Sequence, residues 1–111
     1  KNVLNSATCI VDAILGTGTR DVARGDSKAA IDSILARTKI DPRPHVISVD
    51  VPSGFDCDSG TPCGSCVQAD DTLTFVASKQ GFTTTDASLY TGRIQVIDIG
   101  VPQVVRNRFG L

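Results

Sequence analysis

The sequence lacks any excess of charge of one sign: eleven Lys and Arg face twelve acids, all of them Asp, for a formal net charge of −1. A dedicated nucleic-acid binder normally shows a strongly basic face, so this balance argues against one. It argues equally against a polybasic membrane anchor. Long apolar runs are missing too: none approaches the roughly 18 residues of a membrane span, and the longest are interrupted at Asp12 and Asp50. Methionine is absent and the first residue is Lys1, so we expect the 111 residues to be part of a longer chain. Histidine is reduced to His45. With that one histidine on the far side of a strand, Ser53, set in P-S-G rather than G-x-S-x-G, makes a poor triad. What remains is one domain's worth of sequence, long enough to bury roughly two thirds of its unfolded surface without disulfides or metal.

Four cysteines are present. Cys9 sits in an apolar run and reads as a buried thiol. Cys57, Cys63 and Cys66 form C-x5-C-x2-C in a stretch rich in Gly, Asp and Ser. A structural zinc site wants four ligands, and His45 is the sole histidine that could complete one. Zinc, a disulfide and unmodified thiols all stay open on this pattern. Such cysteine usage in an α/β-looking chain favours a cytoplasmic location.

The apolar pattern runs strand, glycine turn, helix, strand, loop, strand, loop, strand. Thr8 to Leu15 reads as a strand buried on both faces, ending at Gly16. Asp26 and Ser27 offer helix N-caps, and Ala30, Ile31, Ile34 and Leu35 recur at helical spacing. Pro42 and Pro44 forbid the helix's continuation. Further strands are expected over His45 to Asp50, Asp71 to Ala77 and Arg93 to Ile99. The segment from Ser78 to Thr91 reads mostly as loop, and the basic tail after Pro102 as a surface exit. A strand–helix–strand unit with short turns predicts a right-handed crossover and hence a parallel sheet.

In open parallel sheets ligands sit at the carboxyl ends of the strands, and two polar clusters fall there. One is Asp12 with Gly16-Thr17-Gly18-Thr19-Arg20; the other is Asp50-Val51-Pro52-Ser53-Gly54. The glycine turn can offer backbone N–H groups to an anion, although it is neither a Walker loop nor a dinucleotide turn, because Asp21 stands where the last glycine belongs. Its plain alternative is a tight connection. Asp12 in an apolar strand must be paired, cation-bound or neutralised, since an unpaired buried charge costs several kcal/mol. Arg20 or backbone N–H groups could do that. Asp50 should point into the crevice, with a turn role as its alternative.

The runs VDAILGTG, SVDVPSGFDCDSG, ADDTLTFVASKQGF and GRIQVIDIGVP resemble, in order and spacing, the YjeF N-terminal domain family. The resemblance covers nearly the whole chain, and its specific parts are D-A-x-x-G-T-G and D-x-P-S-G. It implies a Rossmann-like three-layer α/β/α sandwich with a mainly parallel sheet, of which residues 1–111 are the C-terminal half of the domain. It also implies the epimerisation of NADHX and NADPHX, the hydrated forms of reduced nicotinamide nucleotides, with a bound potassium ion. Matched position by position, Asp12 and Ser53 would bind potassium. Gly16, Thr17, Gly18, Thr19, Arg20, Asp21, Val22 and Asp50 would contact the substrate, and Asp50 would be the acid/base. A homodimer, a fused or partner dehydratase domain, a cytoplasmic location and no nucleic-acid or membrane partner go with that reading. The phosphate loop of the family's earlier half has no counterpart in these residues, and the three clustered cysteines lie outside the family pattern. The rival readings are a non-catalytic scaffold on the same fold and a metal or redox protein built on those cysteines.

Overall fold

The computed structural model describes residues 3–17 and 21–110. A short 3-10 turn, Val3–Ser6, leads into β1 (Cys9–Asp12), followed by α1 (Gly25–Arg37) and β2 (His45–Val49). A small antiparallel hairpin, β3 (Phe55–Asp56) with β4 (Thr61–Pro62), precedes β5 (Asp71–Phe75). A 3-10 turn at Gln80–Thr83 and one helical turn, α2 (Ser88–Thr91), lead to β6 (Arg93–Ile97) and the closing α3 (Gln103–Arg108). The main sheet has the order β1-β2-β5-β6, with every pair parallel. The expected α/β class with a parallel sheet is what the chain adopts.

Register and alternation assign the faces. Ile10 lies opposite Val46, Asp12 opposite Ser48, and Ser48 opposite Thr72, itself opposite Ile94. All therefore point to one face. Ile31 and Ile34 of α1 close over Ile10 and Val46 there, and Phe55, Phe82, Ala87 and Tyr90 form a second cluster with Ile94. The other face carries Val11, Ile47, Val49, Leu73, Phe75 and Ile97. Val11 is 62% exposed and the rest are only half-buried. Among the described residues both core clusters lie on the α1 face. The expectation of a first strand buried on both sides is thus corrected: Cys9 and Val11 are exposed, and Cys9 is not the buried thiol its neighbours suggested.

Strand ends also differ from the pattern, for local reasons. β1 stops at Asp12 because the N–H groups of Ile14 and Leu15 turn to side chains, the Asp12 carboxylate and the Ser53 hydroxyl. β5 stops at Phe75 because Val76 adopts a left-handed conformation. The helix begins one residue before Asp26, with Arg24 at the cap and no side-chain cap bond. Asp26 falls in the first turn instead, where its charge favours the positive end of the helix dipole, as Arg37 does at the other end. The tail beyond Pro102 is helical rather than a plain exit.

Arg37 is buried, and its guanidinium is held by the carbonyls of Leu4, Ala7, Ile40 and Pro42. It ties the end of α1 to the segments that enter β1 and β2. Across the amino ends of the strands, Asp71 accepts from Arg93 Nε at 2.8 Å and meets His45 Nε2 at 2.6 Å. Asp70 pairs with Arg43 and takes the N–H of Val46.

These bonds have a pH signature. The Arg93 guanidinium, then His45, hold the Asp71 carboxyl below the usual carboxylate range. Partial burial pushes Asp70 up, but Arg43 and the Val46 N–H bring it down on balance. A depressed carboxyl contributes stability that is present above its unfolded pKa, about 3.9 for Asp, and is lost as pH falls through the folded value. We therefore expect the urea midpoint to fall below about pH 4, and Asp71→Asn to flatten that fall. An unchanged acid limb in the variant would show that Asp71 contributes nothing to it.

Candidate functional site

Asp12 closes β1 fully buried, yet its carboxylate is not stranded. Oδ2 accepts the Ser48 hydroxyl at 2.7 Å and the Ser53 N–H at 2.8 Å; Oδ1 accepts the Ser53 hydroxyl at 2.6 Å and, more loosely, the Ile14 N–H at 3.4 Å. Four donors meet about four lone-pair directions, so the charge is solvated by the protein rather than by a cation side chain. Ser53 in turn accepts the Leu15 N–H at 2.9 Å. Its single proton is committed to Asp12, so the Leu15 carbonyl oxygen, 3.4 Å from Ser53 Oγ, faces it with no proton between them. Oxygen atoms of this kind suit a hard cation, which would have to take the place of one or more of the four donors to reach Asp12. Arg20, the alternative partner considered for Asp12, lies outside the described residues.

The loop after β2 is built for this contact. Asp50 leaves the strand with φ 74° and Gly54 turns with φ 91°. A Cβ at Gly54 would run into the Ser65 carbonyl oxygen, so the final glycine of D-x-P-S-G answers to close packing as well as to the turn. Asp50 N–H stays on the sheet, bonded to the Leu73 carbonyl at 2.6 Å, while its half-buried carboxylate reaches over to the first loop. A Cβ placed on Gly16 would sit 3.7 Å from Asp50 Oδ2. The two polar clusters do converge.

Of the residues expected to contact a substrate, Gly16 lies beside Asp50 and Thr17 is exposed next to it. Asp21 and Val22 are exposed too, with Val22 set against Gly64. Gly18, Thr19 and Arg20 lie outside the described residues. Three residues were not singled out from the sequence. Ser48 is legible in retrospect as a polar residue on the buried parity of β2. Lys79 places Nζ 3.4 Å from Asp50 Oδ1 and donates to the carbonyls of Phe75, at 3.3 Å, and Ala77, at 3.4 Å. Between those carbonyls stands Val76 at φ 68°, a conformation costing a β-branched residue about 1–3 kcal/mol. Phe75 to Gln80, together with Cys57 and Asp58, line a groove of about 310 Å³ beside the pair.

The cysteines do not form a rival centre. Among the described residues no three His, Cys, Asp or Glu side chains gather as a metal site, and the cysteines form no disulfide. Burial, with Asp12 nearby, pushes the Cys66 thiol up to about 12. Burial and the Asp58 charge also raise Cys57. Thiols held protonated in this way are poor nucleophiles and poor metal ligands.

Removing the Ser53 hydroxyl strips one buried carboxylate oxygen of its shortest bond and leaves the Leu15 N–H unmet. Ser53→Ala is therefore expected to cost roughly 3 kcal/mol of unfolding free energy in urea melts, whereas Ser59→Ala on the exposed hairpin should stay within about 0.5 kcal/mol. Equal midpoints for the two variants would mean the Asp12 contact is not structural.

Comparison with known proteins places this crevice in context. The family described as YjeF-related protein N-terminus matches residues 1–81. An NAD(P)H-hydrate epimerase of Pirellula staleyi is 39% identical over 99 residues, covering 89% of this chain and 41% of that protein. One from Levilactobacillus brevis is 41% identical over 103 residues, covering 90% of this chain and 44% of its own length. A bifunctional NAD(P)H-hydrate repair enzyme Nnr of Moorella thermoacetica is 39% identical over 97 residues, covering 87% of this chain and 17% of that enzyme. The chain thus spans less than half the length of each of these relatives. With the match running through β1, the D-x-P-S-G loop and β5, the chain belongs to the family of YjeF-related protein N-termini.

Proposed function

We propose that this chain is the part of an NAD(P)H-hydrate epimerase that carries its acid/base, interconverting the R and S forms of NADHX and NADPHX. The observation that carries the reading is the convergence of Asp50 on Gly16 at the carboxyl ends of two adjacent parallel strands, beside the Asp12–Ser53 pair. The relatives named as epimerases supply the substrate class.

The chemistry asks little of a protein beyond charge and proton control. The substrate bears a hydroxyl on the carbon next to the ring nitrogen. As that hydroxyl takes a proton, the nitrogen lone pair expels it as water and forms a planar iminium-like cation. Asp50 stands where a carboxyl could pass the proton to the departing oxygen. The carboxylate left behind stabilises the cation electrostatically. Water returning to either face gives one epimer or the other and surrenders its proton by the same route. The exposed Gly16-Thr17 turn presents backbone to the nucleotide.

Asp12 and Ser53, with neighbouring carbonyl oxygens, would hold potassium, whose positive charge would draw the anionic part of the substrate to this end of the sheet. The phosphate loop would come from the part of the domain that lies outside this chain, and the half-exposed sheet face gives that part an apolar surface to cover. A cytoplasmic homodimer, with a dehydratase fused or in partnership, belongs to the same proposal. Relatives named bifunctional repair enzymes support its last element.

The test uses the full protein that contains this chain, following conversion of purified R-NADHX to the S form by chromatography. Asp50→Asn should slow turnover at least about a hundredfold, the lower range for losing a positioned acid/base. Wild-type rates in a folded Asp50→Asn variant would remove Asp50 from catalysis, and an inactive wild-type protein would favour the scaffold reading. Replacing potassium with a bulky organic cation should slow the wild type, and Asp12→Asn should blunt that response. A rate indifferent to potassium would dismiss the ion.

A further inference from the structure

Lys79 Nζ donates to the carbonyls of Phe75 and Ala77 and forms an ion pair with Asp50 Oδ1 at 3.4 Å. The ammonium is thereby engaged by groups of the protein. Both carbonyls flank Val76, whose left-handed backbone bends the chain after β5 and aims them together. Asp50, the other partner, is also left-handed. Two strained, non-glycine residues at the ends of adjacent strands therefore serve one contact. Strain of this kind persists only where its surroundings enforce it, and it gathers at working sites.

From this geometry we infer that Lys79 is the proton-holding partner of Asp50, acting through it rather than on the substrate. The inference rests on the epimerase reading and supplies what that reading leaves open, the origin of the proton given to the departing hydroxyl. The Lys79 ammonium, in an ion pair with Asp50, can supply that proton. Lys79 Nζ passes one proton to Asp50, and Asp50 passes it to the hydroxyl oxygen. The carbon–oxygen bond breaks, its electron pair leaving with water, and the nitrogen lone pair forms the new C=N bond. The products are the cation, a carboxylate, a neutral amine and water, so charge and protons balance. When water adds back, its proton returns by way of Asp50 to the amine. Asp58 and Cys57, which line the same groove, are the other titratable groups near Lys79.

Two variants of the full protein test the assignment: Lys79→Ala and Lys79→Arg. Arginine keeps the positive charge but does not release its proton. Lys79→Ala and Lys79→Arg should each lower kcat at least about tenfold with KM changed by less than about threefold. Ethylamine added to Lys79→Ala should restore turnover, and a series of amines should rank by basicity. Near-normal kcat in Lys79→Arg would reduce Lys79 to a structural charge and overturn the proposal, as would a rise in KM alone. A separate arm needs no turnover, so it stands even where the epimerase reading fails. In 15N-lysine spectra the Lys79 Nζ resonance should move on Asp50→Asn at fixed pH, and a resonance that does not move would dissolve the pair.

Discussion

The buried carboxylate of Asp12 is the constraint on which the upper half of the molecule depends. A lone carboxylate at zero exposure would cost several kcal/mol or take up a proton. Here four donors surround it, and two of them come from Ser53, on a loop 41 residues further along the chain. Satisfying this charge therefore fixes the loop's place over the sheet. Once Ser53 is docked, Val51 and Pro52 are buried beneath it, and Gly54 must turn where only glycine fits against Ser65. Asp50, one side of the same turn, is then delivered to the rim beside Gly16. Stability and site geometry are properties of one contact.

The two ends of the sheet spend their polar residues differently. At the amino ends, ordinary backbone and paired charges prevail: Arg37 caps carbonyls, and Asp71 bridges Arg93 and His45 across three strands. Most of those partners are solvent-exposed, so each pair is worth little alone. At the carboxyl ends the backbone is strained at Asp50 and Val76 while the carboxylates are packed against loops. An open parallel sheet gathers its connecting loops at that end, so side chains from β1, β2 and β5 can meet there without distorting any strand.

Much of this was legible because its signals are local and physical. Polar residues inside apolar runs marked Asp12 and Asp50, and glycine with proline marked the turns around them. The parallel sheet followed from strand–helix–strand spacing, and the D-x-P-S-G run identified Ser53 through family resemblance. What escaped depends on contacts between distant segments. The exposure of Cys9 and Val11 follows from which face α1 covers, and a fully apolar strand does not reveal that. The end of β1 is set by Ser53, far away in sequence. Lys79 looks like any loop lysine until Val76 bends the chain, and nothing about a valine announces a left-handed backbone.

The same geometry explains why Cys57 and Cys66 are not activated thiols. A C-x-x-C pair becomes reactive when positive charge or a helix N-terminus stabilises the thiolate. Cys66 has the opposite surroundings, apolar packing against Phe55 and Phe82 with the Asp12 charge close by. Cys57 sits beside Asp58, and burial raises it further. Lys79, a cation near Cys57, is engaged by Asp50 and two carbonyls, and its influence there is outweighed. Burial first, and then the neighbouring carboxylates, hold Cys57 and Cys66 as thiols, so the side chains this crevice offers for chemistry are its carboxylates and hydroxyls rather than these sulfurs.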